Sequence, residues 1–417
     1  MLKKITSKQL LVGMYIQKLG SSWMEHSFWR KRFLLDDAND IQRVIESGIT
    51  EVWIDTTKGR DLPRDSALAT TPNDTEEVQI AEAALQAAPT AKVATEAVRI
   101  GTEQEIHAKE ITRAAKICAQ GKAAVISMFQ DIRMGRTVSA KAAEELVDEI
   151  SASVMRNPGA LISLARLKTA DDYTYMHSVA VCALMVALAR QWEGIDEATT
   201  RELGMAGLLH DLGKALTPPE VLNKPGKLTD EEFMLVKQHP AKGHRLLLDS
   251  SNVGEIPLDV VLHHHEKMDG TGYPYRLRGD EISLYARMGA VCDVYDAITS
   301  NRPYKTGWDP GQSIRKMAEW CPSHFDDKVF KAFVKSLGIY PIGSLVQLAS
   351  GRLAVVVEQT EQSLVVPKVK VFFSTSANGY ILPEVIDLSR PRQKEKIVSC
   401  ASAEAWGLKN IDQFLVL

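Results

Sequence analysis

The stretch RELGMAGLLHDLGK, residues 201–214, has apolar residues at helical spacing and ends in an adjacent histidine and aspartate, His210 and Asp211. Imidazole and carboxylate groups are poor choices for burial unless they are paired or bind a metal ion. A helix that closes on two such side chains next to apolar sequence therefore predicts a helical bundle with polar ligands pointing to its interior.

Other segments offer side chains of the same type beside apolar sequence. His264 and His265 follow IPLDVVL and open the segment HHEKMDGTGYP, residues 264–274. The further candidates, each from a different segment, are His177 in DDYTYMHSVAVCALMVALA, His239 in KQHPAKGHRLL and Asp293 in RMGAVCDVYDAITS. One such histidine alone is more often a hydrogen-bonded residue of the core or a surface residue than a metal ligand. Chance does not explain the presence of all these histidines and aspartates beside apolar segments, so we expect their side chains to form one site.

The donor set indicates which metal ions suit this site. Imidazoles and carboxylates without cysteine favour iron or manganese, with zinc as an alternative. The candidate ligands are too many for one open catalytic metal, and a carboxylate can bridge two ions. The sequence therefore predicts a two-metal site.

HDLGK followed by HHEKMDGTGYP resembles the HD-GYP family, HD-superfamily phosphohydrolases that cleave the bacterial second messenger cyclic di-GMP. The resemblance covers residues from about 155 to about 340 and includes DDYTYMHS, HPAKG and DVYDAITSNRPYK. The N-terminal segment is more loosely similar to the uncharacterised domain that often precedes HD-GYP domains. The resemblance therefore implies a helical HD-type bundle that hydrolyses cyclic di-GMP.

The resemblance implies roles for individual residues. The implied metal ligands are His177, His210, Asp211, His239, His264, His265 and Asp293. Asp211 would bridge both ions, and Lys214 would reach the scissile phosphate or a bridging hydroxide. The implied substrate-binding residues are Tyr273, Arg302 and Lys305, and the implied supporting residues behind the ligands or in the loop are Glu266 and Asp269. Tyr173 stands where some members carry a glutamate that holds a third ion, so we expect two ions.

The reaction implied is the hydrolysis of cyclic di-GMP to pGpG, with GMP after a second cut, through a hydroxide that bridges two divalent ions. Iron is the first expectation for these ions and manganese the second. GGDEF-domain proteins are expected as partners, and a homodimer stays open. Two alternatives remain: a non-hydrolytic cyclic dinucleotide receptor or signalling adaptor that binds GGDEF-type partners, and an HD phosphohydrolase of another nucleotide.

The composition of the chain narrows the class of protein. Charged residues make up 25% of its 417 residues and the net charge is −3. The chain thus lacks the excess of basic residues that is typical of proteins that bind a nucleic acid polymer. No apolar stretch approaches the length of a membrane span. Five cysteines are scattered without a CxxC pair, which predicts reduced thiols in a cytoplasmic protein.

The pattern along the chain predicts a multidomain fold. We expect an α/β or β-rich regulatory module at residues 1–57, a linker at 58–101 and connecting helices at 102–157. The segment 158–338 reads as an all-α HD-type catalytic bundle. Period-two, β-branched runs after it predict a small β appendage and tail at residues 339–417.

Overall fold

The computed structural model describes residues 2–19, 33–35, 41, 51–60, 91–137, 140–166, 173–224, 226–248, 250, 253–301, 307–360, 363–391, 393–408 and 410–415. The chain divides into two compact units. The first comprises Met1–His107, Ser350–Leu353 and Val371–Val385, and the second comprises Ala108–Ala349, Ala354–Lys370 and Ile386–Leu417. The segment DANDIQRVIESG, residues 37–48, has a sequence pattern that predicts a helix closed by Gly48, and it lies outside the described residues apart from Ile41.

An antiparallel sheet forms the N-terminal part of the first unit. Its strands are β1 (Leu2–Thr6), β2 (Tyr15–Leu19), β3 (Phe33–Leu34) and β4 (Glu51–Asp55), in the spatial order β1-β4-β2-β3. Ile5 pairs with Val52 and Ile16 with Ile54, and all four side chains are buried. Because alternate residues of a strand point to opposite faces, this register gives the sheet one apolar face.

Helices dominate the rest of the described chain. They are α1 (Ala91–Arg133), α2 (Ala140–Arg156), α3 (Pro158–Arg166), α4 (Tyr173–Ala189), α5 (Glu197–Leu209), α6 (Pro219–Leu222), α7 (Asp230–Val236), α8 (His239–Leu248), α9 (Glu255–His263), α10 (Leu284–Thr299), α11 (Pro310–Trp320) and α12 (Asp327–Leu337). None of the described helices combines the length and the apolar run that crossing a bilayer requires.

Helix α4 lies at the centre of the bundle. Every residue of α4 from Met176 to Ala189 is buried, as expected for a helix that is apolar on all sides. Helix α5 packs closely against it, because a Cβ atom at Gly207 would lie 2.8 Å from the backbone nitrogen of Cys182. This close packing brings the C-terminal end of α5 beside His177 in the second turn of α4.

Helices α1 and α2 contribute to the same core as the bundle. Buried side chains of both helices, including Val125, Phe129 and Ile150, cluster with Val179 of α4 and Leu208 of α5. The ring of Phe129 meets that of Tyr175 edge-on, with centroids 5.4 Å apart. At the end of α1, Arg133 Nε donates to the carbonyl oxygen of Ala215, at 3.3 Å. The segment predicted as connecting helices therefore packs directly on the bundle.

A second sheet follows the bundle. Its strands are β5 (Leu345–Leu348), β6 (Arg352–Thr360), β7 (Ser363–Ser374), β8 (Gly379–Asp387) and β9 (Ile397–Cys400), in the order β8-β7-β6-β5-β9. The predicted fold class, a helical bundle with small β regions near both ends of the chain, is confirmed. The exact domain boundaries stay a prediction, since the compact units follow different limits.

Candidate metal centre

Asp211 lies in a sharp turn between α5 and a 3-10 helix at Leu212–Leu216. This turn needs glycine at position 213, because a Cβ atom there would clash with the carbonyl oxygen of His239 at the start of α8. The close approach places Asp211 Oδ1 3.1 Å from His239 Nε2. The turn therefore places the carboxylate of Asp211 in the interior of the bundle, where the residue is only 1% exposed to solvent.

Three buried histidines around Asp211 have their ring orientation fixed by the backbone. In each, Nδ1 lies within hydrogen-bonding distance of a carbonyl oxygen one turn earlier: His210 to Gly207 at 2.8 Å, His239 to Val236 at 2.7 Å and His264 to Val261 at 3.0 Å. A carbonyl oxygen only accepts, so Nδ1 carries the proton and Nε2 presents a lone pair. This is the tautomer that a metal ligand requires.

The Nε2 atoms of His239 and His264 lie 3.3 Å apart. Since both Nδ1 atoms already donate to carbonyl oxygens, two lone pairs face each other at this distance. A neutral pair cannot form a hydrogen bond there, whereas a cation bound by both nitrogens would satisfy them. The arrangement thus fits a bound metal ion.

The potential ligand atoms form two groups that share one residue. Asp211, His239, His264 and His265 form one group, and His177, His210 and Asp211 form the other, each with its ligand atoms within 4.8 Å of one another. Within the described residues, Asp211 Oδ1 is buried without a hydrogen-bond partner, while Oδ2 accepts from Lys214 Nζ at 2.5 Å. A buried carboxylate oxygen without a partner is costly unless it binds a cation, so the site fits metal ions held on both sides of Asp211.

Asp293 of α10 extends toward both groups. Its Oδ1 lies 2.9 Å from His177 Nε2, and its Oδ2 lies 3.6 Å from His265 Nδ1. The structure therefore brings together all the residues that the sequence analysis assigned as ligands. Their roles as ligands stay a prediction.

Asp296 was missed by the sequence analysis. It lies 2.6 Å from His177 Nδ1, and it follows Asp293 by three residues, which puts both carboxylates on one face of α10. A carboxylate partner on the second ring nitrogen orients a metal-binding imidazole and increases its basicity. The spacing in DVYDA was the available signal, but only the fold shows that the partner is His177.

The protonation states suit metal binding. Burial is the main cause that lowers the pKa of His264 to about 3. Burial alone would raise the pKa of Asp211, but compensating contacts, led by the charge of Lys214, outweigh it and hold the pKa well below the usual carboxyl value. Ionised carboxylates and neutral imidazoles are the forms that bind metals.

His177 differs from the other histidines. Burial alone would lower its pKa, but hydrogen bonds to Asp293 and Asp296 outweigh it and the net pKa is raised. A proton on Nε2 of this ring therefore occupies the position that a metal ion would take, and metal binding is expected to release it.

The segment after the histidines is folded around Glu266. This buried carboxylate accepts from three consecutive backbone amides, those of Tyr275 at 2.7 Å, Arg276 at 3.1 Å and Leu277 at 3.1 Å. Gly272 packs on the backbone of residues 265–267, where a Cβ atom would lie 2.5 Å from the Cα atom of Glu266. Residues 269–278 are thus held as a fixed loop against the histidine pair.

Tyr273 lies within this loop, beside the metal centre. Its ring centroid is 4.7 Å from that of His265, and burial raises the pKa of its phenol. Asp269 is placed differently, since its Oδ1 accepts from the backbone and hydroxyl of Thr271 and closes a local turn. Arg302 and Lys305, the other two residues assigned to the substrate, lie outside the described residues.

Matches to known proteins extend over nearly the whole chain. Residues 156–329 match the HD domain family and residues 2–143 match a domain of unknown function, DUF3391. A cyclic di-GMP phosphodiesterase from Pseudomonas aeruginosa is 54% identical over 415 residues, covering 99% of this chain and 95% of that protein. The chain belongs to the HD-GYP family.

Other relatives match less than half of the chain. The cyclic di-GMP phosphodiesterase response regulator RpfG from Xanthomonas campestris is 42% identical over 180 residues, which is 42% of this chain and 47% of that protein. A 3'3'-cGAMP-specific phosphodiesterase 3 from Vibrio cholerae is 36% identical over 171 residues, covering 41% of this chain and 37% of that protein. Relatives named for different cyclic dinucleotides thus match the chain over similar lengths.

Glu266→Ala should loosen the loop that carries Tyr273, because three backbone amides lose their acceptor at once. We expect a stability loss of roughly 1–3 kcal/mol and faster amide hydrogen exchange at residues 275–277. Hydrogen exchange followed by mass spectrometry measures this loss of protection. Exchange rates equal to those of the exposed control variant Glu220→Ala would contradict the assigned role.

His324 makes the stability of the protein depend on pH. The carbonyl oxygens of Ser323 and His324 accept from the amides of Asp269 and Met268 and so support the same loop. Burial, then the charge of Lys267, lowers the pKa of His324 from 6.5 to about 4. Between these values the unfolded chain binds more protons than the folded chain, so stability is lost as the pH falls through this window.

We therefore expect the melting temperature of the wild type to fall more between about pH 7 and about pH 5 than that of His324→Gln, by a few degrees. Thermal unfolding of both proteins at several pH values measures the difference. Parallel curves would show that His324 does not contribute to this pH dependence.

Proposed function

We propose that this protein is a metal-dependent phosphodiesterase that hydrolyses cyclic di-GMP to pGpG, with GMP after a second cut. The observation that carries the proposal is the shared position of Asp211 between two groups of imidazoles. A phosphodiester is an anion that hydrolyses very slowly unless its charge is neutralised. Two divalent cations in such a site neutralise phosphoryl oxygens and acidify the attacking water.

The donor chemistry supports iron as the first choice for these ions and manganese as the second. His239, His264 and His265 would hold one ion, and His177 and His210 would hold the other. Asp211 would bind both, and Asp293 lies where it can complete either set. We propose two ions and no third ion near Tyr173, because the ring of Tyr173 stacks on that of His177.

Lys214 is the chain's own positive charge at this site. Its ammonium contacts Asp211 Oδ2, and the side chain is 20% exposed, so it reaches from the buried carboxylate to the surface of the site. A fixed charge there stabilises the negative charge that develops on the phosphoryl oxygens in the transition state. Lys214 would also hold Asp211 in its ionised form.

The substrate would lie between the metal centre and the glycine-rich loop. The partly buried ring of Tyr273 forms a wall next to His265, on which a base or a ribose can pack. We propose that Arg302 and Lys305 bind phosphate or guanine, a role in which arginine can form paired hydrogen bonds. We also propose that the site prefers cyclic di-GMP to other cyclic dinucleotides. Because one relative is named for 3'3'-cGAMP, the hydrolysis of the two dinucleotides has to be compared.

GGDEF-domain partners and a homodimer remain predictions, and so does a cytoplasmic location, which rests on the scattered cysteines. Two alternatives in function remain: an HD phosphohydrolase of another nucleotide, and a non-hydrolytic receptor or signalling adaptor. Binding without turnover distinguishes the receptor or adaptor from the proposed enzyme.

The test is anaerobic turnover of cyclic di-GMP by the purified full-length protein, with metal content counted on the same sample. We expect about two ions per chain and the appearance of pGpG. Asp211→Ala should lose metal and reduce turnover at least about a hundredfold, because both ions lose a ligand.

Asp148→Ala, which changes an exposed carboxylate of α2, is the control and should retain metal and activity. Undiminished turnover by metal-free Asp211→Ala would contradict the two-metal mechanism. A metal-loaded wild type that binds cyclic di-GMP and leaves it intact would favour the receptor. Faster hydrolysis of 3'3'-cGAMP than of cyclic di-GMP would change the assigned substrate.

A further inference from the structure

Helix α7 presents an uncovered surface beside the metal centre. None of its residues is buried, and Phe233 is 45% exposed. Lys237 follows the helix and precedes the candidate ligand His239 by two residues. This surface is therefore only two residues before the start of α8, where His239 lies close to Asp211.

The ammonium of Lys237 lies between two aromatic rings. Its Nζ is 4.6 Å from the ring centroid of Phe233 and 5.3 Å from that of Tyr273. Both distances are within the range of cation–π attraction. The rings therefore hold a flexible lysine side chain in one position, next to the tyrosine that borders His265.

In the part of the chain that the structure describes, Lys237 forms no ion pair with a carboxylate. Nearby lysines differ, because Lys214 contacts Asp211 at 2.5 Å and Lys224 contacts Glu232 at 2.7 Å. The aromatic faces orient the Lys237 ammonium without neutralising it. A half-buried, oriented and uncompensated positive charge is suited to binding an anion.

The proposed substrate supplies such an anion outside the metal centre. A cyclic dinucleotide contains two phosphodiester groups, and only one of them can react at the metal ions at a time. The ribose units between the two groups keep the non-reacting phosphodiester at a distance from the metal centre. Its charge then needs a partner at the edge of the site, where Lys237 stands beside Tyr273.

We propose that Lys237 binds the non-reacting phosphodiester of the cyclic dinucleotide, with Phe233 and Tyr273 holding its ammonium in place. This inference rests on the proposed function and adds a substrate-binding residue to it. The role differs from that of a simple tether between α7 and the loop, because a tether would affect all substrates equally.

The test compares two substrates in the metal-loaded, full-length protein. Cyclic di-GMP has two phosphodiester groups, whereas bis-para-nitrophenyl phosphate has one. Lys237→Met removes the charge and keeps the apolar stem, and Lys237→Arg keeps the charge. Lys227→Met, at an exposed lysine, is the matched control.

We expect Lys237→Met to raise KM for cyclic di-GMP about tenfold or more, as for the loss of one charge-assisted hydrogen bond. Its loss of kcat/KM on cyclic di-GMP should exceed its loss on bis-para-nitrophenyl phosphate by a similar factor. Lys237→Arg should recover most of the KM effect, and metal content should match that of the wild type in every variant.

Equal losses on both substrates would overturn the proposal and leave Lys237 as a tether. An unchanged KM for cyclic di-GMP in Lys237→Met, with an active wild type, would overturn this inference alone. A wild type that cleaves bis-para-nitrophenyl phosphate but not cyclic di-GMP would overturn the proposed function, and this inference with it.

Discussion

The candidate metal centre depends on how the charge of the buried Asp211 carboxylate is compensated. Taking an ionised carboxylate out of water costs several kcal/mol unless positive charge or hydrogen-bond donors replace the solvent. Here Lys214 compensates one oxygen, and imidazole nitrogens approach the other without donating a hydrogen bond to it. The cost is offset fully only by cations, so the folded bundle and the metal centre are best understood together.

The surrounding elements are arranged to hold that carboxylate in place. The apolar helix α4 is buried along its length, and glycines at positions 207 and 213 let α5 and the following turn approach α4 and α8 closely. Backbone carbonyls one turn earlier fix the rings of three histidines. Helices α1 and α2, which lie largely before the matched HD domain, complete the same core. Packing outside the motif therefore supports the geometry inside it.

The sequence predicted the fold class and the set of residues that meet in the metal centre, because those side chains recur beside apolar helical segments in a family-specific order. It did not predict the partners that orient them. Asp296 and His177 are 119 positions apart, and no local pattern shows that they meet. Three amides donating to Glu266, and the packing of Phe129 on Tyr175, likewise arise from tertiary structure alone. Arg302 and Lys305 lie outside the described residues, so their assigned contacts rest on the resemblance.

We propose that one carboxylate, that of Asp211, holds two metal ions. Anomalous diffraction from crystals of the metal-loaded protein, recorded at the absorption edge of the bound metal, tests it most directly. We expect two peaks about 3.5–4 Å apart, one on each side of Asp211, with each of its oxygens next to a different ion. A single peak, or two peaks of which only one contacts Asp211, would contradict it.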